Sequence, residues 1–145
     1  MSELMRPTRE ETAMAVAHEF AKLGTCDRLQ VGAVIHRQGR VIISGYNGVP
    51  AGLPHCEHSR DVPSTGEERG CQIAVHAEAN TIAFAARHGL SVEGADMTVT
   101  HMPCVDCAKL IINAGLVSVT YQQPYRKVEG IQLLTRARVR VVNLR

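Results

Sequence analysis

Residues 76–114, HAEANTIAFAARHGLSVEGADMTVTHMPCVDCAKLIINA, decide the fold, because a helix pattern, a strand pattern and a second helix pattern follow one another. The alanine-rich residues 77–87 have high helix propensity and stop before Gly89. Residues 96–100 read as a short strand, and residues 104–114 as a second helix ended by Gly115. The same stretch carries the chemistry. His76 and Glu78 stand where the first helix begins, and Pro103, Cys104 and Cys107 follow where the second begins, Pro103 coming twenty-five residues after Glu78.

One His and two Cys fill three positions of a tetrahedral Zn²⁺ and leave the fourth for water, which distinguishes a catalytic site from a closed structural one. Cys104 and Cys107 are three apart, so they share one helix face in its first turn. His76 and Glu78 are two apart and would diverge in mid-helix. They converge only if His76 lies at or before the cap, which leaves the Ala77 amide able to donate. A helix N-terminus favours negative charge and zinc drives thiols to thiolates, so each sulfur is stabilised in the form the metal needs. Two thiolates also make zinc a poorer Lewis acid than an all-histidine site would, and a nearby base must then help remove a proton. Glu78, with no ligand duty, is that base. Such a proton shuttle contributes about 10²- to 10⁴-fold in rate. The plainer alternative is a zinc knuckle closed by a fourth ligand, with Glu78 merely capping a helix. Structural sites, however, favour paired C-x₂-C spacings at both ends.

Working outward, Thr8 and Glu11 form a capping-box pattern, and Ala13, Val16, Ala17 and Phe20 recur at helical spacing up to Gly24. A helix is expected over residues 9–23. Residues 31–36 and 40–46 are Val/Ile-rich and joined by Arg37, Gln38 and Gly39, the pattern of an antiparallel hairpin. Residues 47–70 hold three Pro and four Gly and read as a long loop. Beyond the central stretch, residues 116–121 are strand-like, 128–137 helical despite Gly130, and 139–144 strand-like. The order αββαβαβαβ predicts a three-layer αβα sandwich on a five-stranded mixed sheet, largely parallel with an antiparallel hairpin at its start. The metal site then falls at the strands' carboxyl ends, where open α/β sheets bind ligands.

A length of 145 residues with 45% apolar content suits one domain over residues 1–145. A net charge of +2 and 3% aromatics give neither the basic footprint nor the stacking platform of a general nucleic-acid binder, so a small-molecule substrate is expected. No signal-peptide pattern or membrane-length apolar run is present, so a cytosolic protein with no membrane partner is expected. Five cysteines without an export signal point to metal binding rather than disulfides.

H-x-E…P-C-x-x-C is the known signature of zinc nucleobase deaminases. With residues 31–35, VGAVI, residues 45–52, GYNGVPAG, and residues 76–80, HAEAN, the chain resembles the cytidine deaminase superfamily, and within it the deoxycytidylate branch, from about residue 26 to residue 125. The resemblance implies hydrolysis of dCMP to dUMP and ammonia, supplying dUMP for thymidylate synthesis. It makes His76, Cys104 and Cys107 the zinc ligands and Glu78 the shuttle, in agreement with the chemical reading. It adds Asn47 at the sugar hydroxyl, the Ala77 amide at the pyrimidine carbonyl oxygen, the Pro103 carbonyl at the amine, Arg87 at the 5′-phosphate and Tyr125 near the nucleotide. A guanidinium fork suits phosphate, although a solvated charge at a helix end is the plain reading of Arg87.

Members of this family are commonly hexamers activated by dCTP with Mg²⁺ and inhibited by dTTP. The resemblance therefore places effector contacts at Arg28, Tyr46 and Gly48, with surface charge for Arg28 and strand-end packing for Tyr46 as the bland alternatives. Relatives hold an extra zinc at the positions of Cys26 and Cys56; Cys71 with His55 or His58 would complete a second, structural site stapling the long loop. Small buried thiols are the alternative. His101 departs from the family's commoner apolar residue, and His18, His36 and His88 read as polar-face residues. Deamination of dCTP as well as dCMP, a nucleic-acid cytidine or adenosine deaminase, and a catalytically idle zinc-binding module are the competing functions.

Overall fold

The computed structural model describes residues 5–26, 29–55 and 73–145. Helix α1, Arg9–Ala21, starts at Thr8, whose hydroxyl accepts from the Glu11 amide at 3.0 Å while the Glu11 carboxylate accepts from the Thr8 amide at 3.0 Å. It stops two residues earlier than its pattern suggests, in a turn that leads to Gly24. Strands β1, Gly32–Arg37, and β2, Arg40–Tyr46, follow as the expected hairpin. Gln38 and Gly39 both take left-handed φ, 53° and 79°, the conformation that matches a two-residue turn to the twist of its strands. Then come α2, Ala77–Arg87; β3, Asp96–His101; α3, Val105–Asn113; β4, Ser118–Gln123; α4, Glu129–Arg136; and β5, Arg140–Asn143.

The sheet order is β2-β1-β3-β4-β5. β1 is antiparallel to both neighbours, whereas β3, β4 and β5 pair in parallel. The largely parallel expectation is thus corrected: a single reversed strand, β1, makes two of the four pairings antiparallel. The carboxyl ends of β2, β3, β4 and β5 still lie at one edge, and the first residue of β1 joins them there.

Alternation along the strands separates two faces. Ala33, Ile35, Met97, Val99 and Val119 pack in one cluster with Ala77 and Ala85 of α2, Ala108 and Ile111 of α3, and Leu134 of α4. On the other face the Ala17 carbonyl of α1 lies directly over Gly32, and Ala13, Met14, Ala17 and Ala21 are buried. The result is the three-layer sandwich. His36 corrects a polar-face reading, because its side chain falls on the face that α1 covers and is only 6% exposed, with Nε2 2.9 Å from the Thr98 hydroxyl. Among the described residues no helix is long and apolar enough to cross a membrane.

Candidate metal centre

Two helix N-termini meet at the strands' carboxyl edge. Ahead of α2, Gly48 and Val75 form a β-bridge through bonds of 3.1 and 2.8 Å, and Asn80 Nδ2 donates to the Tyr46 carbonyl at 2.9 Å. These ties fix the chain just before His76, the N-cap of α2, whose extended φ and ψ of −63° and 151° turn it out of the helical path. Glu78 lies in the first turn behind it. Across the site, Cys104 is the N-cap of α3 and Cys107 sits in that helix's first turn, its amide 3.5 Å from the Cys104 sulfur.

The three side chains converge. His76 Nδ1 lies 3.5 Å from Cys104 Sγ and 3.4 Å from Cys107 Sγ, and all three ligand atoms are within 4.8 Å of one another. Zinc bonds of about 2.3 Å to sulfur and about 2.1 Å to nitrogen at a tetrahedral angle require nitrogen–sulfur edges of roughly 3.6 Å, so the donor set fits a zinc ion. Among the described residues no fourth His, Cys, Asp or Glu joins this group. Burial is graded, with Cys107 buried, Cys104 partly buried and His76 exposed, so the set opens toward solvent on the histidine side.

Electrostatics separate the roles. Burial pushes the Glu78 carboxyl up to about 7, with the nearby His76 charge pulling the other way. Its side chain is 4% exposed. Without a metal the two sulfurs divide the load. Hydrogen bonding from the Cys107 thiol, helped by His76, holds Cys104 down at about 4, while donating that bond and being buried raise Cys107. His76 is raised in turn by its bond to Cys104. A dication in their midst would replace the shared proton and favour both thiolates.

The remaining sequence-derived residues fall in several places. Ala77 is fully buried as the first residue of α2, where its amide has no partner within the helix. Pro103 is buried, and its carbonyl oxygen lies against Gly130 of α4. Asn47 is buried and already employed. Its Oδ1 accepts from the Val31 amide at 2.7 Å and its Nδ2 donates to the Leu29 carbonyl at 2.6 Å. It therefore clamps the segment before β1, and each of these two atoms keeps further hydrogen-bonding capacity.

Arg87 does not reach the metal set within one chain. It ends α2 over the Phe84 ring, 5.8 Å from the centroid, and nine residues of helix place it roughly 14 Å beyond Glu78. Tyr125 is 55% exposed on the segment after β4, at the edge that carries the site. Tyr46 and Gly48, read as effector contacts, both anchor the start of α2 through backbone atoms. Cys26 and His55 line one cavity of about 620 Å³, but Cys56, His58, Cys71 and Arg28 lie outside the described residues.

His101, which the sequence left without a role, lines that cavity too, with Nδ1 2.7 Å from the Thr100 hydroxyl. Its place at the carboxyl end of β3 is the signal that could have marked it.

Residues 7–123 match a family described as the cytidine and deoxycytidylate deaminase zinc-binding region. The chain is 42% identical over 113 residues to ComE operon protein 2 of Bacillus subtilis, an alignment covering 78% of this chain and 58% of that protein's length. It is 38% identical over 128 residues to the deoxycytidylate deaminase of Mycobacterium phage D29, covering 81% of this chain and 97% of the phage protein. The structure of dCMP deaminase from cyanophage S-TIM5 in complex with dCMP and dUMP is similar at TM-score 0.84 and 31% identity, covering 97% of this chain and 99% of the other.

Proposed function

This chain belongs to the family of zinc-binding cytidine and deoxycytidylate deaminases, and from that premise we propose that it hydrolyses dCMP to dUMP and ammonia. The observation that carries the proposal is a buried carboxylate, Glu78, behind a His/Cys/Cys set to which the described residues add no fourth ligand. The nucleotide is supported by the cyanophage protein, whose structure holds dCMP and dUMP.

Zinc held by His76, Cys104 and Cys107 supplies Lewis acidity, which in zinc enzymes brings a water molecule's pKa to about 7 from about 15.7. Glu78 accepts the proton of the attacking water and returns protons to the pyrimidine N3 and the departing amine. The water oxygen becomes O4, the C4–N4 bond breaks, and dCMP plus one water gives dUMP plus ammonia. The Ala77 amide is assigned to the pyrimidine O2, and the Pro103 carbonyl to the amine. Asn47 offers its remaining N–H to the sugar. Low exposure of Glu78 keeps competing solvent from the shuttle.

The finer reading comprises one cytosolic deaminase domain over residues 1–145, assembled as a hexamer, activated by dCTP with Mg²⁺ and inhibited by dTTP. It includes a second zinc drawn from Cys26, Cys56, Cys71, His55 and His58. Its support is the resemblance of residues 45–52 and the shared cavity of Cys26 and His55. The deciding experiment offers dCMP, dCTP, deoxycytidine and a short oligonucleotide to the purified protein, with and without dCTP plus Mg²⁺, and follows ammonia. Turnover of dCMP ahead of the others is expected, whereas turnover of the oligonucleotide alone would overturn the reading. In the same assay Arg87→Ala should slow dCMP far more than deoxycytidine, and an equal loss on both would remove Arg87 from phosphate recognition.

A further inference from the structure

Gly130 lies in the first turn of α4 and is buried there. Alanine is ordinarily the better helix residue, so a glycine at this position needs a reason. The neighbour supplies it. A Cβ at position 130 would lie 2.4 Å from the Pro103 carbonyl oxygen and 2.9 Å from both the carbonyl carbon and the carbonyl oxygen of Cys104. All three are backbone atoms, so no side chain can swing aside. The Cys104 carbonyl also starts the α3 ladder, accepting from the Ala108 amide at 2.9 Å. Cys104 itself carries one of the two sulfurs of the metal set. The backbone of α4 therefore rests on the peptide that aims a ligand.

We propose that Gly130 is a positioning residue for the metal centre: by lacking a Cβ it lets α4 seat the Pro103–Cys104 peptide and so directs the Cys104 sulfur. The inference rests on the zinc reading above. A methyl group would have to move that peptide from 2.4 Å to the 3.4 Å of ordinary contact, a shift of roughly 1 Å. Misplacements of about 1 Å cost on the order of 10²-fold in rate, and loss of the partners that orient metal ligands weakens metal binding about 10- to 100-fold.

The test substitutes Co²⁺ for zinc in the wild type, in Gly130→Ala and in Leu134→Ala, and reads the thiolate-to-cobalt absorption and the cobalt affinity. Leu134 is fully buried on the same helix, and its truncation loosens α4 without pressing on Cys104. Gly130→Ala should bind cobalt about 10- to 100-fold more weakly with a shifted band. Leu134→Ala should lose thermal stability and keep both band and affinity. A Gly130→Ala spectrum and affinity equal to wild type would overturn the inference, as would an equal disturbance in Leu134→Ala. Absence of the band from the wild type would instead overturn the zinc reading itself.

Should Gly130→Ala fail to fold, the same coupling is read in the wild type, because linkage is reciprocal. Metal removal should then speed amide hydrogen exchange at Gln132, whose amide bonds the Val128 carbonyl at 3.0 Å in the first turn of α4, while leaving Ala17 of α1 unchanged. Identical protection at Gln132 with and without metal would contradict the proposal.

Discussion

At the start of α1, Thr8 and Glu11 close a reciprocal capping box with two 3.0 Å bonds. At the start of α2 the cap position belongs to His76, which makes no side-chain cap bond, and at α3 it belongs to Cys104, whose sulfur meets an amide only at 3.5 Å. Serine, threonine, aspartate and asparagine cap helices well because a short oxygen reaches the exposed amides. Histidine and cysteine do not. The first helix thus uses its cap to hold itself together, whereas the other two turn theirs toward each other. Local stability has been exchanged for three converging donor atoms. The same contrast holds two residues on, where the first turn of α2 buries Glu78, a carboxylate, and the nearby His76 charge offsets the loss of water only in part.

The largest expected effect removes that carboxylate's charge. Glu78→Gln should retain zinc, measured by metal analysis, and lose about 10²- to 10⁴-fold in turnover. Near-normal turnover would mean that the buried group at α2 is no more functional than Thr8.

Glu78 should also weaken the metal-free protein in a pH-dependent way. Its folded pKa of about 7 lies above the ordinary 4.5, so between those values the folded state holds the extra proton. Its own contribution to stability should therefore fall as pH rises from 4.5 through 7, by about 3 kcal/mol in all, against an opposing rise from Cys104, whose thiol is held down at about 4. In urea unfolding of zinc-stripped protein, Glu78→Gln should accordingly gain stability with pH more steeply than the wild type over that window. A slope unchanged in the variant would show that burial does not strain this carboxylate.

Restoring a conventional cap sharpens the contrast further. His76→Ser should abolish tight zinc retention while raising metal-free stability by about 1 kcal/mol, the usual worth of a good N-cap. Stability that falls instead would mean the imidazole supports α2 directly. The smallest effect belongs to α1, where Thr8→Ala should cost about 1 kcal/mol in thermal or denaturant unfolding and leave turnover unchanged.

The metal set was legible in the sequence because spacing along a helix fixes direction. A spacing of three positions puts the Cys104 and Cys107 sulfurs on one face, and His76 and Glu78, two positions apart, converge only across a cap. What depended on distant packing was not legible. No pattern within β1 says that it will run against β3, because a strand's partner lies outside its own sequence. His36 is buried because α1 covers its face, a fact set by Ala17 lying over Gly32 and not by the polarity of its neighbours. Arg87 follows the site motif in sequence, yet a straight helix carries it away from Glu78. The two bonds that engage the Asn47 amide cross to residues sixteen and eighteen positions earlier, invisible to any local reading. Gly130 looks like a defect in α4 until the Pro103–Cys104 peptide beneath it is seen.

Zinc K-edge X-ray absorption of the loaded protein tests the central claim most directly. Two sulfurs at about 2.3 Å, one imidazole nitrogen at about 2.0 to 2.1 Å and one further light atom that exchanges with solvent are expected. A first shell filled by four protein donors would leave Glu78 no water to act on and would contradict the account.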